Sequence, residues 1–128
     1  MASPFVTEIT EDTFEAEVLN SDKLVLIDFY ATWCAPCKAM APTLEKFAEE
    51  NQATVKVVKV DVDACPQLSA AFQIRSIPTL VTMKDGQGLI GAVGALPKAE
   101  MEKLVKDSLQ LAAENDISKK AAPKGPQP

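Results

Sequence analysis

Leu24-Val25-Leu26-Ile27-Asp28-Phe29-Tyr30 is a nearly continuous apolar run that leads straight into Trp33-Cys34-Ala35-Pro36-Cys37-Lys38. An apolar run without alternation marks a strand buried on both faces, and such a strand needs a layer of helices above and below it. The segment from Cys34 to Glu50 supplies the first of these. Cys37, Ala41, Leu44 and Ala48 fall on one helical stripe, with Met40 and Phe47 beside it. Pro42 lies inside that helix and is expected to kink it, because proline removes one backbone hydrogen bond.

Two cysteines separated by two residues therefore stand at a strand-to-helix junction. A dithiol there can close into a small disulfide ring and reopen with little backbone movement. The helix N-terminus favours a thiolate through its partial positive charge and unpaired N–H groups. This is the chemistry of a disulfide oxidoreductase. Two bland readings stand beside it. Cysteines can simply pack in a core, but packing does not account for the Trp, Pro and Lys around them. Zinc would need Cys65 and a carboxylate as further ligands, since the chain has three cysteines and no histidine. The absence of histidine also removes Ser-His-Asp and Cys-His catalysis. A net charge of -5 argues against a nucleic-acid partner. No stretch is long and apolar enough to cross a membrane, and no secretory leader is visible at the N-terminus.

The rest of the chain reads as alternating elements. Glu11 to Leu19 is expected to be a short helix with Thr10 as a cap, and Thr54 to Val60 a β-branched strand. Pro66 to Phe72 reads as a short helix. Ile77 to Met83 and Leu89 to Val93 read as a hairpin around Asp85-Gly86. Pro97 opens a last helix with Met101, Leu104, Val105 and Ser108 on one face, and Phe5-Val6 can add a short first strand. The order predicts an α/β fold: a mixed sheet with helices on both faces. A single domain over residues 1–112 and a disordered tail over 113–128 complete the expectation, the tail from Ser118 being rich in lysine and proline. Gly86-Gln87-Gly88-Leu89-Ile90-Gly91 spells a dinucleotide fingerprint, but it opens no helix and is read as part of the hairpin.

Asp28 is costly to bury ionised, so its pKa should rise; the alternative is a carboxylate reaching solvent at the strand end. Trp33 is read as an exposed contact residue, with a core role as the alternative. Cys65, at the start of the short helix from Pro66, reads from its residues as a small buried or inert thiol.

Asp28-Phe29, Ala31, Trp33-Cys34, Pro36-Cys37-Lys38, Pro42, Lys59-Val60-Asp61, Ile77-Pro78-Thr79 and Val93-Gly94, in that order, resemble the thioredoxin family over about Glu8 to Leu111. The resemblance implies the thioredoxin fold and a protein-disulfide reductase. It implies that Cys34 attacks a substrate disulfide, that Cys37 resolves the mixed disulfide, and that Asp28 lies beneath the dithiol and takes or returns the proton of Cys37. Lys59 would be its charge partner, although a strand lysine can also simply reach solvent. Pro78 resembles the family's cis-proline. With Ile77 and Thr79 it would offer backbone groups to an extended substrate, while Trp33, Ala35, Pro36, Ile77 and Gly94 would line the docking rim. The implied setting is a cytoplasmic monomer with no bound cofactor or metal. Its partners would be disulfide-containing proteins and an NADPH-dependent thioredoxin reductase, with no nucleic acid and no membrane. Three departures from the family pattern stand out, the first being the additional Cys65, which the resemblance makes a possible redox or regulatory thiol. Ala35 replaces the commoner glycine between the cysteines and is expected to change the redox poise, and Tyr30 stands where tryptophan is common. An oxidase or isomerase on the same fold, and a scaffold with an incidental dithiol, are the rival readings.

Overall fold

The computed structural model describes residues 3–121, with side chains described to residue 115. Five strands form one sheet: β1 (Val6–Glu8), β2 (Leu24–Tyr30), β3 (Val55–Asp61), β4 (Thr79–Lys84) and β5 (Gln87–Val93). Their order across the sheet is β1-β3-β2-β4-β5. β3 runs parallel to both β1 and β2, whereas β4 is antiparallel to β2 and β5 to β4. This is the mixed sheet expected from a strand–helix–strand unit followed by a hairpin. The α-helices among the described residues are α1 (Ala35–Glu50), α2 (Pro66–Ala71) and α3 (Lys98–Ala121).

The central strand explains the two layers. Successive side chains of β2 point to opposite faces, so Leu24 and Leu26 join one core and Val25, Ile27 and Phe29 another. On the first face they meet Met40, Leu44 and Phe47 of α1 with Met101, Leu104 and Val105 of α3. On the second they meet Ile9, Val18 and Cys65, with Phe14 and Phe72 packed against them. Asp28 shares the face of Leu24 and Leu26, under α1.

Four local features differ from the sequence reading. The first helix is shorter: only Glu15–Leu19 is helical, as a π-helical turn. Thr10 does not cap it with its side chain; the Thr10 N–H donates to Thr13 Oγ1 at 2.9 Å, closing a turn in front of it. Ala41 is exposed and faces a cleft rather than the core. β5 begins at Gln87, because Asp85 and Gly86 both take positive φ (53° and 78°) and form a tight two-residue hairpin turn. The glycine-rich hexapeptide is thus turn and strand. Finally, the last helix runs through 113–121, where a disordered tail was expected. Leu111-Ala112-Ala113-Glu114 are strong helix formers that simply continue it. Residues 122–128 of that expected tail lie outside the described residues.

One buried polar contact ties α3 to the hairpin. The register of β4 and β5 shifts between Val81 and Met83. At this irregularity the Ile90 N–H donates to Thr82 Oγ1 at 3.1 Å, and the Thr82 hydroxyl pairs with Ser108 Oγ at 2.6 Å. No helix among the described residues is long and apolar enough to cross a membrane.

Candidate active site

The strand register gathers the chemistry at one end of the sheet. Tyr30 closes β2, Asp61 closes β3 opposite it, Thr79 opens β4 opposite Phe29, and Val93 closes β5 opposite Thr79. The turn after β2 brings the Cys34 N–H onto the Ala31 carbonyl at 3.2 Å. Cys34 then takes extended backbone angles and becomes the N-cap of α1. Its side chain performs the capping that serine or aspartate usually performs: Cys34 Sγ accepts the Cys37 N–H at 3.2 Å. Pro36 in the first turn has no N–H to leave unpaired, which suits that position.

Cys34 and Cys37 are joined in a disulfide, their Cα atoms 5.3 Å apart. Both residues are covered, 4% and 5% exposed, so in this oxidised state accessibility does not separate them. Their surroundings do. Cys34 Sγ receives a backbone N–H at the positive end of a helix, and lies 3.9 Å from the Ile77 carbonyl. Both effects of the helix end favour a thiolate on Cys34 once the bond opens. Cys37 instead borders a cleft of about 840 Å³ that also reaches Asp28 and Lys59.

Asp28 is 5% exposed, with no hydrogen-bond partner for its Oδ1 among the described residues. Burial pushes its pKa up to about 7, against the attraction of Lys59, which lowers it. The alternative of a carboxylate in open solvent is therefore not what the chain adopts. Lys59 stands beside Asp28 in the β2–β3 register. Its ammonium lies over the Tyr30 ring, 5.1 Å from the centroid, rather than in contact with the carboxylate.

The remaining expected residues surround the disulfide. Trp33 is 67% exposed, and its indole Nε1–H donates to Asp63 Oδ2 at 2.7 Å, so it is a surface residue and not a core one. Ala35 and Pro36 are exposed on the first turn of α1. The Ile77–Pro78 bond is cis. Ile77 is half-buried, while Pro78 and Thr79 are buried, and the Thr79 hydroxyl donates to the Ser76 carbonyl at 2.5 Å. Gly94, at φ 107°, donates its N–H to the Pro78 carbonyl at 2.8 Å and so fixes the loop after β5 against the loop before β4.

Cys65 is the exception. It sits on the far face of the sheet, 1% exposed, with burial pushing its thiol pKa up. An inaccessible thiol whose thiolate burial disfavours is a poor sensor, which supports the inert reading over the regulatory one. Three residues escaped the sequence reading as parts of the site. Val93, 69% exposed, adds an apolar surface next to Gly94. Asp63 anchors Trp33, and Glu8 accepts the Tyr30 hydroxyl at 2.5 Å. A signal for Val93 existed, since a β-branched residue precedes the matching glycine. The contacts of Asp63 and Glu8 depend on loop and strand placement.

Comparison with known proteins agrees with this arrangement. The family model described as Thioredoxin matches residues 5–107. The chain is 48% identical over 103 residues to "Thioredoxin" of Mycolicibacterium smegmatis, covering 79% of this chain and 92% of that protein. It is 43% identical over 102 residues to "Thioredoxin 1" of a Nostoc species, covering 80% and 95%. It is 40% identical over 107 residues to "Thioredoxin C-2" of Corynebacterium nephridii, covering 84% and 99%.

Proposed function

This chain belongs to the thioredoxin family and is an oxidoreductase of disulfide exchange, and from that premise we propose how its residues divide the work. In the reduced protein the Cys34 thiolate attacks one sulfur of a substrate disulfide. A Cys34–substrate disulfide forms, and the other substrate sulfur leaves as a thiolate that takes up a proton. Cys37 then loses its proton, attacks Cys34 Sγ, and closes the ring found here. The second substrate sulfur departs. Two electrons have passed to the substrate, and its two thiols carry one proton released by Cys37 and one taken from solvent.

Asp28 is the base in this scheme. Protons must leave Cys37 in the second step and return to it on re-reduction. A carboxyl with a pKa of about 7, facing the same cleft as Cys37, can hold or release that proton near neutral pH. Lys59 tunes it by charge. The Ile77 carbonyl beside Cys34, with the exposed Trp33, Ala35 and Pro36, the half-buried Gly94 and the buried Pro78 and Thr79, forms the docking rim for an extended segment of substrate. The partners are proteins carrying disulfides and an NADPH-dependent thioredoxin reductase that restores the dithiol. The working state is a cytoplasmic monomer without a bound cofactor, because a reducing compartment keeps the pair able to donate electrons.

The observation that carries this reading is the pairing of Cys34 with Cys37 at the first turn of α1, one sulfur capped by a backbone N–H. Insulin reduction with NADPH and a thioredoxin reductase tests it. The native chain should turn over, and Cys34→Ser should abolish turnover. Unchanged turnover in Cys34→Ser refutes the assignment.

A further inference from the structure

Lys59 stands in a row of three charged residues across the parallel strands: Glu8 on β1 and Asp28 on β2 are both its register partners. Residues paired in a parallel ladder point to the same face, as do residues two apart on one strand. The ammonium therefore has two carboxylates competing for it, one on either side. The same face carries a second row, Tyr30 opposite Asp61. Tyr30 bridges the rows. Its hydroxyl donates to Glu8 Oε2 at 2.5 Å, and its ring lies under the Lys59 ammonium at 5.1 Å.

We infer that Tyr30 is a positioning residue for the proton-transfer site: by occupying Glu8 with its hydroxyl and seating Lys59 on its ring, it keeps the lone ammonium of this row from being captured by Glu8 and leaves it beside Asp28. The inference rests on the assignment of Asp28 as the base that serves Cys37. It gives that base a control at a distance, through the one position of the motif region where tyrosine stands in place of the commoner tryptophan.

The geometry meets the demands of this role. A tyrosine held by an acceptor and pressed by nearby carboxylates stays protonated, and burial with the Glu8 contact pushes the Tyr30 pKa up. It therefore remains a donor across the working pH range. The other groups around Asp28 leave Lys59 as the adjustable charge. From α1 the same cleft is faced by Lys38, Glu45 and Cys37. Glu45 accepts a hydrogen bond from Ser3, and Lys38 is exposed on the helix. From β3 and β1 come Asp61, Lys59 and Glu8 themselves.

The test reads Asp28 directly. The carboxyl carbon of Asp28 is titrated by NMR in the oxidised protein, with Asp28→Asn identifying its signal. Tyr30→Phe keeps the ring and removes the hydroxyl, so Glu8 is released to draw Lys59 toward β1. Withdrawing one charge by a few ångströms at an effective dielectric of about 20 raises a carboxylate midpoint by roughly half to one pH unit. The Asp28 midpoint in Tyr30→Phe should rise by that amount. Adding Glu8→Gln removes the competitor, and the Tyr30→Phe/Glu8→Gln protein should return to the native midpoint or below it. An Asp28 midpoint unmoved by Tyr30→Phe overturns the inference. So does an equal rise in the single and double variants, which makes the effect one of packing. The titration uses no substrate and no turnover, so its failure leaves the disulfide-exchange reading, tested by insulin reduction, untouched.

Discussion

Asp28→Asn should abolish a large pH dependence of stability. In the unfolded chain the carboxyl titrates near its ordinary 3.8, whereas burial pushes it up to about 7 in the fold. Between those values the native state holds the proton that the unfolded state has lost. More protons on the native state mean that stability falls as pH rises, so the fold is strongest, as far as Asp28 is concerned, below pH 3.8. The loss is complete above about pH 7. At about 1.4 kcal/mol per pH unit the interval amounts to about 4 kcal/mol, an upper size because the cleft admits water to the site. Asparagine has the shape of the protonated acid and stays neutral throughout. Urea unfolding of the oxidised proteins, followed by far-ultraviolet circular dichroism from pH 4.5 to 8.5, gives the comparison. The stability of Asp28→Asn minus that of the native chain should grow by several kcal/mol across this range and then level off. No histidine titrates in the same window to blur the difference. A difference that stays flat with pH refutes the claim that burial holds the Asp28 proton.

Two further outcomes test other parts of the structure. Thr82→Val leaves the Ile90 N–H and the Ser108 hydroxyl without their partner in a buried place, and should cost about 1–3 kcal/mol by urea unfolding. Thr82→Val with Ser108→Ala should recover part of that loss; a double variant weaker than the sum of the singles counts against the pairing. Cys65 should resist alkylation by iodoacetamide in the folded oxidised protein and react fully in urea, as mass spectrometry would show. Rapid native labelling contradicts its burial beneath Ile9, Val18 and Val58.

Much of the scaffold is written in local pattern. The apolar run of β2, the stripe on α1 and the Asp85-Gly86 turn each follow from side-chain periodicity or from backbone angles that few residues accept. Burial of Asp28 followed from its apolar flanks Ile27 and Phe29, because a strand covered on both faces leaves its central residues little contact with bulk water. Three departures share a cause, placement by the tertiary fold. Cys65 could be judged only once the fold packed it, at the start of α2, in one cluster with Ile9 and Val18. Ala41 belongs to the periodic stripe, yet it overhangs the cleft at the end of the sheet where no core lies beneath it. The link from Tyr30 to Glu8 spans residues brought together by β1 pairing with β3, a long-range register that no local window contains. The last helix departs for a local reason: helix-forming residues carry it past 112, into the segment whose lysine- and proline-rich end suggested disorder.

The central claim is that Cys34 makes the bond to substrate and Cys37 breaks it. Reduced Cys37→Ser protein, mixed with oxidised insulin and analysed by intact-mass and peptide mass spectrometry, measures this directly. A stable adduct of one insulin chain through Cys34, absent from Cys34→Ser and released by the native chain, is the predicted result. An adduct that forms through Cys65, or full turnover without Cys37, contradicts the account.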